Sequence, residues 1–568
     1  MKSMLTMDDQ ARVGPVVSGP GRRAARTILR WLGTVTAEAA RGYEAIALQP
    51  SVAAVLVVVI ALLLAAAASA AHGFRPPGIH DEFSYLLGAD TFASGRLTNP
   101  THPMWRYFET FHVLQRPTYT SKYPPANALF LAAGWVLTGR PIVGVWVTFA
   151  FMCVALHWML VAWIGRRWAL GLTLAVTSWL SATYWSYSYW GGAIAAGAGA
   201  LALGALYRIV ERRGGTGTAI LLGVGLLLLA NSRPYEGALL AVPITFALVR
   251  WAWRDRQSTW RRRWTHILLP LMSVGAVGML CMGIYNQAVT GNWHEMPYLA
   301  YEKQVSVAPI FLWQGSRAAA VLPEGAVANV PRLSHDSSSP PEGMRPGRLR
   351  YVASLADDFL IFIIPIGLTL PLLLIPLAMK KRWTRFALSA SAWMAFGMGV
   401  STFFQTHYAA PMVALLLGLY GDCLRWLARF RLGARPAGRT FAAAIVALWF
   451  LMGLAATAQA CLRQLRPSTR ERITAGWRWQ RQLISDTLTR RGPRNLVIVR
   501  YSGQRAPNNE WVYNAANIDG SAVVWARDRG DSANKPLLDY FRDRTVWSVH
   551  VDGDEGPYRV SRYVPQAP

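Results

Sequence analysis

The chain contains about eleven stretches of roughly twenty residues from which charge is nearly absent, and this recurrence limits what it can fold into more than any other feature. Ser51 to Ala71 carries no charged side chain, and about twenty apolar residues are what a helix needs to cross a hydrocarbon core. The other apolar segments lie near 140–164, 169–189, 191–210, 217–232, 235–253, 265–288, 358–379, 385–406, 409–427 and 440–461. Composition agrees, since 53% of the 568 residues are hydrophobic and only 15% are charged, a balance that soluble domains of this size do not show. A soluble enzyme, a disordered chain and a disulfide-framed secreted domain are excluded. The four cysteines, Cys153, Cys281, Cys423 and Cys461, lie in or beside apolar runs, with no paired-cysteine metal motif.

Charge supplies the orientation. Lys and Arg number 58 against 30 Asp and Glu, a formal net charge of +28, which by itself would suggest a nucleic-acid partner. The excess is concentrated in alternate connections, at Arg166–Arg167, Arg208/Arg212/Arg213, Arg250 to Arg263, Lys380 to Arg385 and Arg425 to Arg439. Connections rich in Lys and Arg stay on the cytoplasmic side. The N-terminal segment 1–50, with Arg22, Arg23, Arg26, Arg30 and Arg41, joins them. The first span therefore runs outward, and an odd number of spans leaves the C-terminus outside. A cleaved signal peptide is disfavoured because about fifty residues precede an apolar run longer than a signal core. Tryptophans at the ends of apolar runs, among them Trp179, Trp185, Trp190, Trp251 and Trp253, suit interfacial belts.

Three outer segments are long: 73–139, 290–357 and 462–568. The fold expected is mainly α, a polytopic membrane protein of about 11 transmembrane helices (51–461) with long outer loops and a small C-terminal periplasmic α/β domain (462–568). In that last segment Asn495–Arg500, Val523–Ala526 and Val546–Val551 read as strands and Pro536–Arg542 as a helix. The Pro/Ser/Gly-rich stretch Ser334–Gly347 reads as a mobile loop.

The first outer segment carries the chemistry-bearing pattern: His80-Asp81-Glu82-Phe83-Ser84-Tyr85, then Gly95-Arg96-Leu97, then Lys122-Tyr123-Pro124-Pro125. Adjacent carboxylates at a membrane surface are costly unless used, although Asp81 could equally cap a helix beginning near Phe83, and Tyr85 could be an ordinary interfacial residue. This order resembles the type-C superfamily of membrane glycosyltransferases, in particular the branch of protein O-mannosyltransferases and the lipid A aminoarabinose transferase. In that branch an Asp-Glu pair in a D-E-x-x-Y setting opens the first outer loop, and a Lys with Pro-Pro precedes the second span. Tyr123 is a departure, because the branch usually reads Lys-Pro-Pro.

The resemblance implies an inverting glycosyltransferase that moves a sugar from a polyprenyl-phosphate donor to a lipid, glycan or protein acceptor, outside a bacterial inner membrane. Asp81 would be the general base, with Glu82 supporting it. No cofactor is required on this reading, though Asp81 and Glu82 could help hold a divalent metal; adjacent carboxylates diverge along the backbone and make a poor cage. The departing phosphate needs cations. Lys122 is one candidate and Arg233, in Asn231-Ser232-Arg233-Pro234-Tyr235-Glu236, is the other, unless it pairs with Glu236 or lipid. His407 and Tyr408 could also hydrogen-bond the phosphate, while Tyr85, Tyr123, His294 and Glu295 are candidate substrate contacts. The aromatic turn Tyr184–Gly192 suits an interfacial belt better than a sugar site. A transporter or flippase of lipid-linked sugars, or an enzyme like O-antigen ligases and polymerases, are the alternatives. The first would place charges mid-membrane, and the second leaves the Asp-Glu pair unexplained.

Overall fold

A computed structural model describes residues 38–212, 214–254, 259–305, 309–314, 348–402, 404–464, 476–502, 509–552 and 558–564. The expected loop 334–347 lies outside the described residues. The N-terminal unit, ending at Ala53, holds a helical stretch at 38–48 and the start of helix α1 (Pro50–Ala71).

The apolar runs fold as helices: α1; α4 (Ile142–Ile164), α5 (Arg166–Ser181), α6 (Ala193–Arg212), α7 (Thr216–Ala230) and α8 (Pro234–Arg254). Beyond them come α9 (Trp260–Thr290), α11 (Arg348–Ile363), α13 (Arg382–Gly399), α14 (Val413–Leu427, after a 3-10 turn at Thr406–Met412) and α15 (Ala437–Gln464). Among the described residues seven helices are long and apolar enough to cross a membrane. An eighth span is a broken pair, Ala356–Ile363 and Ile366–Ala378 (its end helix α12, Ile375–Ala378), bent by 84°. The bend falls at Pro365, and Pro371 and Pro376 follow, each removing a backbone donor that a continuous helix would use. The chain is a multi-pass membrane protein; three of the eleven runs, α5, α7 and α13, form helices outside that set of eight.

Two further helices occupy the segment between α1 and α4: α2 (His80–Ala93) and α3 (Pro125–Thr138). A third, α10 (Pro297–Val305), opens the middle segment. Between α2 and α3 three short antiparallel strands, β1 (Asn99–Pro100), β2 (Val113–Leu114) and β3 (Thr118–Ser121), pair in the order β1-β3-β2.

The α3–α4 hairpin is drawn together by glycine. A Cβ on Gly134 would stand 2.4 Å from the Gly144 nitrogen, and one on Gly144 would stand 2.3 Å from the Phe130 carbonyl oxygen. Small residues at such crossings let backbones approach closely, which is how helices gain contact where lipid removes the hydrophobic drive.

The C-terminal segment forms helix α16 (Trp477–Arg491), strands β4 (Asn495–Ser502), β5 (Val523–Arg527), β6 (Thr545–Asp552) and β7 (Arg559–Arg562), and helix α17 (Asp531–Tyr540). Strand order is β5-β4-β6-β7, with β5, β4 and β6 parallel and β7 antiparallel. The expected strands and helix are present, the helix starting five residues earlier than the pattern suggests.

Alternation along β4 decides what this sheet touches. Leu496 and Ile498 join one buried cluster with Val524, Ala526, Leu537 and Phe541, and with Phe83, Leu87, Tyr107, Phe108 and Tyr119 of the first outer segment. Val497 and Val499 point the opposite way, into a second cluster with Trp511, Trp525, Val549, Ile484 and Leu488. A strand has a side-chain period of two, and a central parallel strand is apolar on both faces. One face of the sheet therefore shares its core with α2, the helix that carries Asp81 and Glu82.

Gly144→Ala is expected to lower the thermal midpoint of the detergent-purified protein through about 1–3 kcal/mol of overpacking. Gly217→Ala, in α7 with no atom near its new methyl, should leave the midpoint unchanged or raise it.

Candidate functional site

Helix α2 starts at His80, with Ile79 as its cap residue and no side-chain cap bond, so Asp81 and Glu82 lie in the first turn. Carboxylates there are favoured by the free backbone N–H groups and the helix dipole. Successive positions project about 100° apart, and the two side chains leave in different directions.

Glu82 is a structural anchor. Only 1% exposed, its Oε2 accepts from the Gly78 N–H at 2.8 Å. Its Oε1 accepts from the Ser188 hydroxyl at 2.7 Å and the Tyr189 N–H at 3.3 Å, and Arg75 lies 3.5 Å away. Three groups thus crowd Oε1 and one holds Oε2, which fixes the carboxyl in place. The pair does not form a two-carboxylate metal cage, and among the described residues no group of three or more His, Cys, Asp or Glu side chains converges.

Asp81 is half-buried and faces a different set. The Tyr123 hydroxyl donates a short hydrogen bond to its Oδ1, and the charges of Lys122 and Arg233 act on it from two other elements. Burial pushes its carboxyl above the usual carboxylate range, against the pull of Tyr123, Lys122 and Arg233.

Lys122 sits at the corner between β3 and α3, 5% exposed. Its ammonium ion-pairs with Glu302 at 3.1 Å and lies 4.8 Å from the Tyr298 ring, 4.6 Å from Tyr301 and 5.5 Å from Tyr123. Such faces hold a cation electrostatically. The corner is pinned to α2 by Ser84, whose hydroxyl donates to the His112 carbonyl at 2.6 Å and bonds the Ser121 hydroxyl at 2.7 Å. His112 donates its backbone N–H to the Tyr301 hydroxyl at 2.9 Å, and burial holds its imidazole well below the usual value, hence neutral.

Arg233 comes from the turn between α7 and α8, with its guanidinium 4.4 Å from the Tyr408 ring. His407, buried beside Tyr408, stands edge-on to Trp190 at 4.3 Å, and its Nδ1 has no hydrogen-bond partner. Tyr85 stacks on Tyr123 at 4.5 Å and is 3% exposed, so it belongs to this cluster rather than to an interfacial belt. A small cleft opens beside Lys122, lined by Pro124, Asn231, Tyr285, Asn286 and Tyr298 among others.

Asp81, Tyr85, Lys122, Tyr123, Arg233 and Tyr408 thus meet in one place, with His407 beside Tyr408. His294 and Glu295 do not join them through any recorded contact: His294 lies against Trp293 at 3.7 Å, and Glu295 pairs with Lys303 at 2.5 Å. The middle segment contributes Tyr298, Tyr301 and Glu302 instead. Tyr301 and Glu302 escape a reading by motif, yet their spacing of three and four from Tyr298 places all three on one helical face.

The chain matches no protein-family model and no curated protein. Solved structures do resemble it. ArnT from Cupriavidus metallidurans in the apo state superposes with a TM-score of 0.51 at 15% identity, over 87% of this chain and 92% of that one. The chain shares the fold of ArnT. The same enzyme bound to undecaprenyl phosphate gives 0.47 at 15% identity over the same shares. The Archaeoglobus fulgidus oligosaccharyltransferase in complex with Zn and sulfate gives 0.44 at 10% identity, over 87% of this chain and 67% of that one.

The two adjacent carboxylates should separate in a stability measurement. Glu82→Gln replaces an acceptor by a donor among buried donors and is expected to cost about 2–4 kcal/mol, read as a lower melting midpoint. Asp81→Asn removes a half-buried charge while its amide oxygen can still accept from Tyr123, and should leave the midpoint unchanged or higher.

Proposed function

We propose that the protein is an inverting glycosyltransferase that uses a sugar carried on a polyprenyl phosphate, with its site at the outer face of a bacterial inner membrane, the N-terminus cytoplasmic and the C-terminus periplasmic. The observation that carries this reading is the convergence of Asp81 with Lys122 and Arg233, a carboxylate between two cations drawn from separate elements of a glycosyltransferase fold.

The chemistry follows from the charges. The acceptor hydroxyl oxygen attacks the anomeric carbon, the bond from that carbon to the phosphate oxygen breaks, and polyprenyl phosphate leaves with the electron pair. Asp81 takes the hydroxyl proton on the oxygen not engaged by Tyr123. Lys122 and Arg233 stabilise the charge that grows on the leaving phosphate, in surroundings that screen it poorly. Tyr123, the residue that interrupts the Lys-Pro-Pro pattern, holds the base in place and favours its ionised form. His407 offers an unpaired Nδ1 and Tyr408 a hydroxyl toward the same phosphate, while Tyr298 walls the cleft beside Lys122. Lipid, glycan and protein acceptors all present a hydroxyl that this arrangement could accept, and the acceptor class is assigned by assay.

Asp81→Asn should reduce sugar transfer from a polyprenyl-phosphate donor by about 10²–10⁴; full activity in the folded variant would overturn the assignment of the base. The base works only when ionised, so activity should rise with pH through the Asp81 pKa, on an acid limb above the usual carboxylate range. Tyr123→Phe removes a hydrogen bond to the charged form and should move that limb to still higher pH. Turnover undiminished by EDTA in the same assay would show that no divalent metal is required.

A further inference from the structure

Where the chain leaves α1, a second group of cations gathers on the far side of Glu82. Gly73 and Phe74 both take left-handed backbone angles, φ 67° and 50°, and turn the chain off the helix end. His72 then stacks on the Tyr187 ring at 3.8 Å, and the Arg75 guanidinium lies 5.2 Å from the same ring. Arg478, from the first turn of α16, is laid over Gly78: a Cβ on Gly78 would stand 2.2 Å from the Arg478 Cζ.

The charges here do not balance. Arg75 and Arg478 face one carboxylate, whose Oε1 already takes Ser188, Tyr189 and Arg75 and whose Oε2 takes the Gly78 N–H. Arg478 has no hydrogen-bond or ion-pair acceptor among the described residues. The Arg75 Nε–H is buried with no partner. A buried donor left unpaired costs about 1–3 kcal/mol, and a half-buried guanidinium without an acceptor is costlier still. Burial and the neighbouring Arg75 both push the Arg478 pKa down, consistent with two cations held close together. One guanidinium without an acceptor, beside a second whose Nε–H is unpaired, is complementary to a tetrahedral oxyanion, which arginine binds with paired hydrogen bonds.

We propose that Arg75 and Arg478 form a phosphate-binding site, distinct from the Asp81 cluster, that takes the phosphate of a lipid head group. Depth supports a lipid source. Arg75 lies four residues beyond the last residue of α1, the level at which head-group phosphates lie when that helix crosses the bilayer. Bound phosphate would add acceptors at the one place where the exit of α1, the anchor of α2 and the start of α16 meet. The proposal does not depend on the reaction assigned to Asp81.

Native mass spectrometry of the full chain, with short-chain phosphatidic acid, phosphatidylcholine or inorganic phosphate added, tests it. Arg478→Gln and Arg75→Gln should each weaken binding of one phosphatidic acid by about tenfold, 1.4 kcal/mol, while exposed Arg490→Gln on the same helix should not. Gly78→Ala keeps every charge but displaces the Arg478 guanidinium, and should produce the same loss with an unchanged melting midpoint. An equal loss for inorganic phosphate would make a free anion the ligand of the same site, and a loss confined to the phospholipid would make it a head group. Unchanged binding of both in folded Arg478→Gln and Gly78→Ala would overturn the proposal.

Discussion

The buried Glu82 carboxyl is the constraint around which the segments that meet at the first turn of α2 are organised. A carboxyl at 1% exposure is tolerated only if hydrogen-bond donors meet it. The donors that meet it come from the loop after α1, from the residue preceding α2 by two, and from the aromatic turn after α5. Satisfying one carboxylate therefore fixes three segments against one another. It also fixes the first turn of α2, so that the neighbouring Asp81 is turned toward Tyr123, Lys122 and Arg233. One member of the Asp-Glu pair holds the frame and the other faces the site.

The C-terminal sheet extends the same frame. The His80 Nδ1 and the Tyr513 hydroxyl are 2.8 Å apart, and the Tyr513 ring stacks on Phe83 at 4.1 Å, so the residues on both sides of the carboxylate pair are braced by the connection between β4 and β5. Arg529 pairs with Glu109 of the first outer segment at 2.7 Å, and burial pushes the Glu109 carboxyl up to about 7. The stretch Asn509–Asn514 is core and brace: Trp511 is fully buried, and Asn509 accepts its indole N–H at 2.7 Å.

Much of this was legible beforehand for physical reasons. Long uncharged runs must become helices in a membrane because lipid cannot satisfy a bare backbone, and short apolar runs between polar stretches marked the C-terminal strands. Lys122 was legible from its place before Pro124-Pro125, and Arg233 as a rare cation in a short connection between apolar runs. His294 and Glu295 were read as contacts only because they open a long loop, and proximity in sequence to a membrane face does not aim a side chain. Tyr301 and Glu302 lacked a motif; a face on a nine-residue helix acquires meaning only when its partner, Lys122, is brought to it.

The sequence by itself determined a multi-pass helical protein with a small α/β segment, and it singled out Asp81 in the first outer segment, because these follow from local composition, period and short-range order. Tertiary structure decided which of two adjacent carboxylates is anchored and which faces the cations. It decided that Tyr123 bonds Asp81 across 42 positions, and that Arg478 comes to rest on Gly78 across 400. Those outcomes depend on closing long loops around buried charge, and no local pattern encodes which donors a carboxylate will find.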